Sequence, residues 1–306
     1  MKVYVSRVIR RGPWGGGNRW LLAIFDALQR HQIEVVSSPR QADAIIVAGV
    51  EDVSELELGA VTLCQYAKQA KKPVLFRIND CDARKNTKHI NQAIHAASLL
   101  ATKIIYVSNW LKNHLDPFNT FDSKSAVIVN GVDHSIFKPA EKQSSQMFRI
   151  VTHHWSDNRL KGASWYEFID RMTLSDNSIA FTFIGRHKCA FIGNTSVIPP
   201  CDGQALATLL AQQDLYVSGS VYDPGPNHII EAVSCGLPVI ASADGGACVE
   251  FSDGIHIAKD ESQLKSLINN KQFHVASRKF SSWEFCADQY VTEIQNLCHN
   301  IDSQNL

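Results

Sequence analysis

Two acidic residues eight positions apart, Asp223 and Glu231, are the first candidates for chemistry in this chain. Between them a proline- and glycine-rich turn leads into a short apolar helix, for which Asn227 is the predicted N-cap and Gly236 the end. A carboxylate on such a helix needs a hydrogen-bond donor, because burying it unpaired is costly. Sugar or ribose hydroxyls are suitable donors. A structural arginine or lysine would also serve, and the sequence leaves both open.

A second candidate is the glycine-rich segment GPWGGGNRW at 12–20, between a predicted strand and a helix expected to begin near Asn18. Gly15, Gly16 and Gly17 would let backbone N–H groups approach an anion closely, and a helix N-terminus adds partial positive charge. The segment does not fit the dinucleotide pattern G-x-G-x-x-G with an acid after the next strand. The alternative is a tight turn.

Polar residues also follow two other predicted strands. Asn79, Asp80 and Asp82 come after the strand at 73–78, at the edge where open sheets bind ligands. They could orient an acceptor hydroxyl, and a capping or turn role is an equal alternative. Lys161 lies in VTHHWSDNRLKG, where the chain leaves a strand and begins a helix. An ammonium group there could meet a diphosphate.

Arg159 and Arg186 are the cations that could support Lys161. Three histidines raise the question of a metal site: His153, His154 and His228. Two adjacent histidines on a strand point to different faces, and no ligating carboxylate is suitably spaced, so we expect no metal there. The D-x-D sequence at 80–82 belongs to the first half of the chain, away from the predicted donor half.

Short β-branched runs alternate with longer helical stretches, which predicts an α/β fold with parallel sheets and crossover helices. The predicted strands are 2–9, 44–48, 73–78, 103–107, 126–129, 148–152, 179–184, 215–218 and 237–241. The polar segment PAEKQSSQ at 139–146 is the predicted linker. The expected domains are therefore 1–139 and 147–283.

Three ordered motifs resemble those of retaining glycosyltransferases with the GT-B fold, of the family 4 or group 1 type. Asp223, Glu231 and the following EAVSCGLPVIAS are similar to the E-x7-E signature, although the first acid here is Asp. The segment VIVNGVDHSIFKP at 127–139 resembles the end of the first domain, and Lys161 resembles the lysine that grips phosphate. The arginine common five positions before that lysine is replaced by Ser156.

The resemblance implies two facing Rossmann-like domains with parallel sheets. The N-terminal domain would bind the acceptor, and the C-terminal domain would bind the nucleotide sugar. The helix at about 284–298 would pack back onto the N-terminal domain. Asn79 stands where many relatives carry a histidine, which weakens any assignment of a general base at that position.

The resemblance also implies roles for single residues. Lys161 would contact the donor diphosphate, Glu231 the ribose hydroxyls and Asp223 the donor sugar, and these three form the expected catalytic set. The other donor-binding candidates are Gly15, Gly16, Gly17, Arg159, Arg186, Asn227 and His228. The acceptor-side candidates are Asn79, Asp80 and Asp82.

The implied reaction is transfer of a hexose-type sugar, with retention, from a nucleotide diphosphate to a hydroxyl of a glycan, a lipid-linked or another acceptor. No metal and no other cofactor is expected. Two alternatives remain open. One is a non-hydrolysing sugar-nucleotide epimerase, and the other is a degenerate, non-catalytic transferase subunit.

Composition narrows the partners and the compartment. The 30 basic and 30 acidic residues cancel, so no overall field favours nucleic acid or an anionic membrane. No apolar run approaches the ~18 residues of a membrane span, and peripheral membrane contact is left open. The eight cysteines form no C-x-x-C pair and indicate reduced thiols. We expect a cytoplasmic enzyme.

Overall fold

A computed structural model describes residues 1–10, 12, 15–50 and 59–304, with side chains described up to residue 299. The chain divides into two compact units. The first contains residues 16–131 together with the N-terminal strand and the C-terminal helix, and the second contains residues 132–280. The polar segment 139–146 lies in the second unit and has no helix or strand.

The described residues of the first unit form a six-stranded parallel sheet in the order β2-β1-β3-β4-β5-β6. Its strands are β1 Lys2–Val5, β2 Glu34–Val35, β3 Ala44–Val47, β4 Val74–Ile78, β5 Lys103–Tyr106 and β6 Ser125–Val127. Its helices are α1 Gly16–Arg30, α2 Ala60–Gln69, α3 Asp82–Lys85, α4 Ile90–Leu100 and α5 Asn109–Leu115. The central strands are buried on both faces, as parallel sheets covered by helices must be.

The C-terminal helix, Trp283–Gln304, belongs to the first unit. It buries Ala287, Tyr290 and Ile294 in the same core cluster as residues of α1, and Tyr290 meets Trp20 edge-on with ring centroids 5.4 Å apart. This spacing of three and four residues is the apolar stripe that the sequence contains at that end of the chain.

The second unit contains the other six-stranded parallel sheet, in the order β12-β11-β10-β7-β8-β9. Its strands are β7 Phe148–His154, β8 Ile179–Gly185, β9 Ser196–Ile198, β10 Leu215–Ser218, β11 Val239–Ser242 and β12 His256–Ala258. Its helices are α6 Ala163–Ser175, α7 Gly203–Ala211, α8 Asn227–Ser234, α9 Ala247–Phe251 and α10 Glu261–Asn270. Two sheets of this kind confirm the predicted α/β fold class.

Strand order places the expected site in the second unit. The chain builds β7, β8 and β9 outward in one direction and then returns to build β10, β11 and β12 in the other. The carboxyl ends of β7 and β10 therefore flank a switch point, which is where open α/β sheets bind ligands. His153 and His154 end β7, and Ser218 ends β10.

All nine predicted strands are present, and three strands were not predicted. These are β2, β9 and β12, which have two or three residues each and lie at sheet edges, where the hydrophobic pattern is weakest. The expected helix start near Asn18 is wrong by two residues, because α1 already begins at Gly16. No helix in the described ranges is long and apolar enough to cross a bilayer.

Candidate functional site

Asp223 is fixed by backbone pairing between its own loop and the loop before α9. The Tyr222 N–H donates to the Asp244 carbonyl at 2.8 Å, and the Ala247 N–H donates to the Asp223 carbonyl at 2.9 Å. Gly246 makes this approach feasible, because a Cβ there would lie 2.9 Å from the Asp223 backbone nitrogen and its φ is +66°. The carboxylate of Asp223 is thus held by main-chain geometry.

Lys161 reaches the same place through a second close backbone approach. It ends a 3₁₀ turn, Arg159–Lys161, that connects β7 to α6. The next residue, Gly162, has a φ of +102°, and a Cβ on it would lie 2.6 Å from the backbone of Gly219. The main chains at Gly162 and Gly219 can touch because neither residue has a side chain. This contact brings the turn beside the end of β10.

Lys161 and Asp223 therefore meet. Lys161 Nζ lies 2.5 Å from Asp223 Oδ2, and the two side chains are 17% and 4% exposed. A carboxylate buried to this extent needs a compensating charge, which the ammonium supplies. The two site residues that the sequence placed 62 positions apart are in direct contact.

Glu231 finds a different partner from those expected. It lies on α8 and is buried, and its Oε2 is 2.8 Å from Nε2 of His153. The predicted alternatives were a structural arginine or lysine and substrate hydroxyls. Sequence spacing linked no carboxylate to the histidines, but β7 and α8 are neighbours in space, so Glu231 meets His153 although 78 residues separate them.

The predicted N-cap of this helix is also corrected. Pro226 occupies the N-cap position, and Asn227 is the first residue of α8. Pro226 has a non-helical ψ of 89° and lacks the N–H group that a helix start would leave unpaired. Asn227 and His228 accordingly lie in the first turn of α8, and both are buried.

Three potential metal ligands meet beside the ion pair. Among the described residues, the ligand atoms of Asp223, His228 and Cys248 lie within 4.8 Å of one another. Asp223 already holds the Lys161 ammonium, and His228 Nε2 lies 2.9 Å from the Ser218 hydroxyl oxygen. Asp223 and His228 therefore each already contact another polar side chain. The sequence did not predict the parts played by Ser218 and Cys248.

Two buried histidines of this region, His154 and His228, are neutral. Burial lowers the pKa of His154 well below its ordinary value, and the nearby His228 and Lys161 act in the same direction. Burial raises the pKa of the Tyr166 hydroxyl, which therefore keeps its proton. The Gly219 N–H donates to this hydroxyl at 3.1 Å, and the hydroxyl oxygen lies 2.6 Å from His154 Nε2. Burial also lowers the pKa of His228 to about 3 although Asp223 opposes the shift.

A shallow, open pocket lies beside Lys161 within the second unit. Its lining combines cations with aromatic rings: Lys161, Arg186, Lys188, Tyr166, Phe183 and His187. Arg186 also donates to the Trp155 carbonyl at 3.1 Å. Arg159 is turned toward Glu167, 3.1 Å away, and is not among the lining residues. Of the two predicted supporting arginines, Arg186 is the one on the pocket wall.

The acceptor-side candidates lie in the first unit, directly after β4. Asp80 is 2.7 Å from the ammonium of Lys85. Asp82 accepts hydrogen bonds from the backbone N–H groups of Ile90 and Asn91, at 2.9 and 3.1 Å, at the start of α4. Asp82 therefore takes the capping role that was the alternative for it. Asn79 is half-buried beside them.

The glycine cluster also lies partly in the first unit. Gly16 and Gly17 form the first turn of α1, and Gly15 precedes it. The guanidinium of Arg7 is next to Gly17, with Nη1 3.7 Å from where a Cβ would be. Residues 11, 13 and 14 of the segment lie outside the described residues.

A comparison with known protein families gives one match, in the second unit. Residues 186–271, which contain Asp223 and Glu231, match the family described as Glycosyl transferases group 1. This part of the chain is therefore similar to a group 1 glycosyltransferase domain. The match covers under a third of the chain and leaves out Lys161 and His153. No curated protein sequence matches this chain.

Solved structures establish the GT-B fold over the whole chain. HepE from Anabaena, in complex with UDP and glucose, is similar with a TM-score of 0.67 and 16% identity over 99% of both chains. Sucrose-phosphate synthase from Thermosynechococcus elongatus has a TM-score of 0.71 and 14% identity, over 97% of this chain and 98% of its own. The catalytic domain of starch synthase IV from Arabidopsis thaliana, bound to ADP and acarbose, has a TM-score of 0.61 and 14% identity, over 97% and 99%.

The neutral buried histidines predict a loss of stability in mild acid. Because folding lowers the pKa of His228 from 6.5 to about 3, its contribution is full above about pH 6.5 and is lost as the pH falls toward 3. The free energy of unfolding should fall by about 1.4 kcal/mol per pH unit for this histidine. Urea unfolding between pH 6.5 and 4.5 measures the slope.

Substitution separates this effect from the titration of carboxylates. His228→Gln should reduce the slope by about the contribution of one histidine, whereas His89→Gln, at an exposed position, should leave it unchanged. Equal slopes in the parent protein and in His228→Gln would contradict the neutral assignment.

Proposed function

We propose that this protein is a glycosyltransferase that moves a hexose-type sugar, with retention, from a nucleotide-diphosphate donor to a hydroxyl acceptor in glycan or glycoconjugate synthesis. The observation that carries the proposal is the contact between Lys161 and Asp223 at the switch point of the second sheet. It joins a cation suited to a diphosphate with a carboxylate suited to sugar hydroxyls. Glu231 lies on the adjacent helix, as the resemblance requires.

The donor would bind in the second unit. Lys161 and Arg186 both line the pocket beside the switch point, so the diphosphate would lie between them. Charge that develops on the β-phosphate as the glycosidic bond breaks would be stabilised by these cations and by the first turn of α8. Glu231 would accept from the ribose hydroxyls and Asp223 from the donor sugar.

The donor class is supported by the relatives. HepE is described with UDP-glucose, and starch synthase IV with ADP. Both ligands contain a nucleoside diphosphate, which is the part that a lysine, an arginine and a helix N-terminus can recognise. For this chain we propose a nucleoside diphosphate sugar, with the base and the sugar left to experiment.

Retention needs no protein nucleophile in this scheme. The acceptor hydroxyl would attack the anomeric carbon on the face from which the phosphate departs, and the acceptor proton would pass to the leaving phosphate oxygen. Asn79 and Asp80, which follow β4 in the first unit, remain the candidates for acceptor binding. All eight cysteines are free thiols, which supports action in a reducing compartment such as the cytoplasm.

A transfer assay separates this function from the two alternatives. The protein is incubated with UDP-, GDP- and ADP-sugars, with and without a lysate-derived acceptor fraction. Acceptor-dependent release of nucleoside diphosphate, with the sugar recovered in product of unchanged anomeric configuration, is the expected result. Release of an altered sugar without any acceptor would indicate the epimerase, and binding without turnover would indicate the non-catalytic subunit.

Transfer should be independent of divalent metal ions. Lys161, Arg186 and the start of α8 provide about the two compensating charges that a diphosphate leaving group needs. Activity in excess EDTA should therefore stay close to the activity with added Mg²⁺ or Mn²⁺. Complete loss on chelation, restored by one metal, would reassign as ligands either Asp80 with Asp82 or Asp223 with His228 and Cys248.

A further inference from the structure

The pairing of Glu231 with a histidine is a feature that the resemblance does not contain. His153 Nε2 lies 2.8 Å from Glu231 Oε2, and the two side chains are 2% and 4% exposed. The histidine comes from β7 and the glutamate from α8, so the contact joins the two elements that meet at the switch point.

The geometry determines which partner carries the proton. His153 Nδ1 is buried and has no hydrogen-bond partner among the described residues. A proton on Nδ1 would be a buried donor without an acceptor, which costs more than a bare ring nitrogen. A neutral ring with its proton on Nε2 satisfies the contact, and it donates to an ionised Glu231 carboxylate.

The imidazole is held in place by its own strand and by the next one. The His153 N–H donates to the hydroxyl of Tyr216 at 3.1 Å, and that hydroxyl donates back to the His153 carbonyl at 3.3 Å. Tyr216 lies on β10 and also packs edge-on against the imidazole, with ring centroids 5.5 Å apart. His153 therefore has little freedom to move away from Glu231.

We infer that His153 is a positioning residue for nucleotide binding, which fixes Glu231 in the ionised, acceptor-only form that can hold the ribose hydroxyls of a nucleoside diphosphate. The bond to His153 uses one carboxylate oxygen, and an ionised carboxylate has acceptor sites for further hydrogen bonds. Without His153 the buried carboxylate would lose one hydrogen-bond donor, which would favour its rotation or its protonation. A protonated carboxyl group presents a donor where an acceptor is needed. This inference rests on the ribose role proposed for Glu231.

The test compares UDP with 2′,3′-dideoxy-UDP by isothermal titration calorimetry. The two nucleotides differ only in the hydroxyls assigned to Glu231. His153→Leu removes the donor at similar volume, and His153→Gln keeps an N–H donor. Thermal unfolding of each variant checks that it is folded. If ADP raises the melting temperature of the parent protein more than UDP does, ADP and its dideoxy analogue replace the two uridine nucleotides.

The parent protein should bind UDP about 10- to 100-fold more tightly than the dideoxy analogue, as expected for hydrogen bonds to a charged group. His153→Leu should lose a comparable factor for UDP and change its affinity for the analogue by less than about threefold. His153→Gln should keep most of the discrimination. The double variant His153→Leu/Glu231→Gln should bind UDP no more weakly than the weaker single variant, because both changes disrupt one interaction.

A uniform loss for both nucleotides in His153→Leu would overturn the inference, since it would show a merely structural role. Unchanged UDP affinity in that variant would overturn it as well. Equal binding of the two nucleotides by the parent protein would overturn the ribose role of Glu231 and this inference with it. The transferase proposal would still stand in that case if the transfer assay shows sugar transfer.

Discussion

The contact between Lys161 and Asp223 is the constraint on which the rest of the site depends. It places one positive and one negative charge 2.5 Å apart at the carboxyl edge of a sheet, with little exposure to water. Removing one partner of such a pair leaves the other charge uncompensated, at a cost of about 3–5 kcal/mol. The same proximity allows a single ligand to meet both groups, if it carries a diphosphate next to a sugar.

Close approaches of the main chain at glycine residues make the contact between Lys161 and Asp223 possible. Gly162 lies against Gly219, and Gly246 lies against the backbone of Asp223. Any side chain at Gly162 or Gly246 would collide with main-chain atoms, and their positive φ values add strain for other residues. The two loops are therefore pinned by backbone contacts. The side chains of Lys161 and Asp223 therefore extend toward each other from backbone positions that are fixed.

The site also contains buried pairs of polar side chains. His154 contacts Tyr166, His228 contacts Ser218, and His153 contacts Glu231. The neutral rings of His154 and His228 take part in these contacts without adding positive charge close to Lys161. A protonated histidine here would repel the same cation that the donor diphosphate is proposed to meet.

The sequence was sufficient for features encoded by local pattern. Alternating apolar runs located every strand with four or more residues, and the spacing of Asp223 and Glu231 located α8. It was insufficient where a partner comes from a distant segment. His153 and Glu231 are 78 residues apart, and neither periodicity nor a short motif links them. The N-cap of α8 was misassigned because Asn is a strong capping residue and Pro226 displaced it by one position.

The most direct test of this account is the turnover of the preferred nucleotide sugar by Lys161→Ala. Lys265→Ala is the matched control, because Lys265 is an exposed lysine of α10 in the same unit and does not line the pocket. The account predicts that Lys161→Ala, once thermal unfolding has shown that it is folded, loses about 2–4 kcal/mol of transition-state stabilisation, and that Lys265→Ala stays within about threefold of the parent protein. A folded Lys161→Ala protein with unchanged turnover and unchanged nucleoside diphosphate affinity would contradict it.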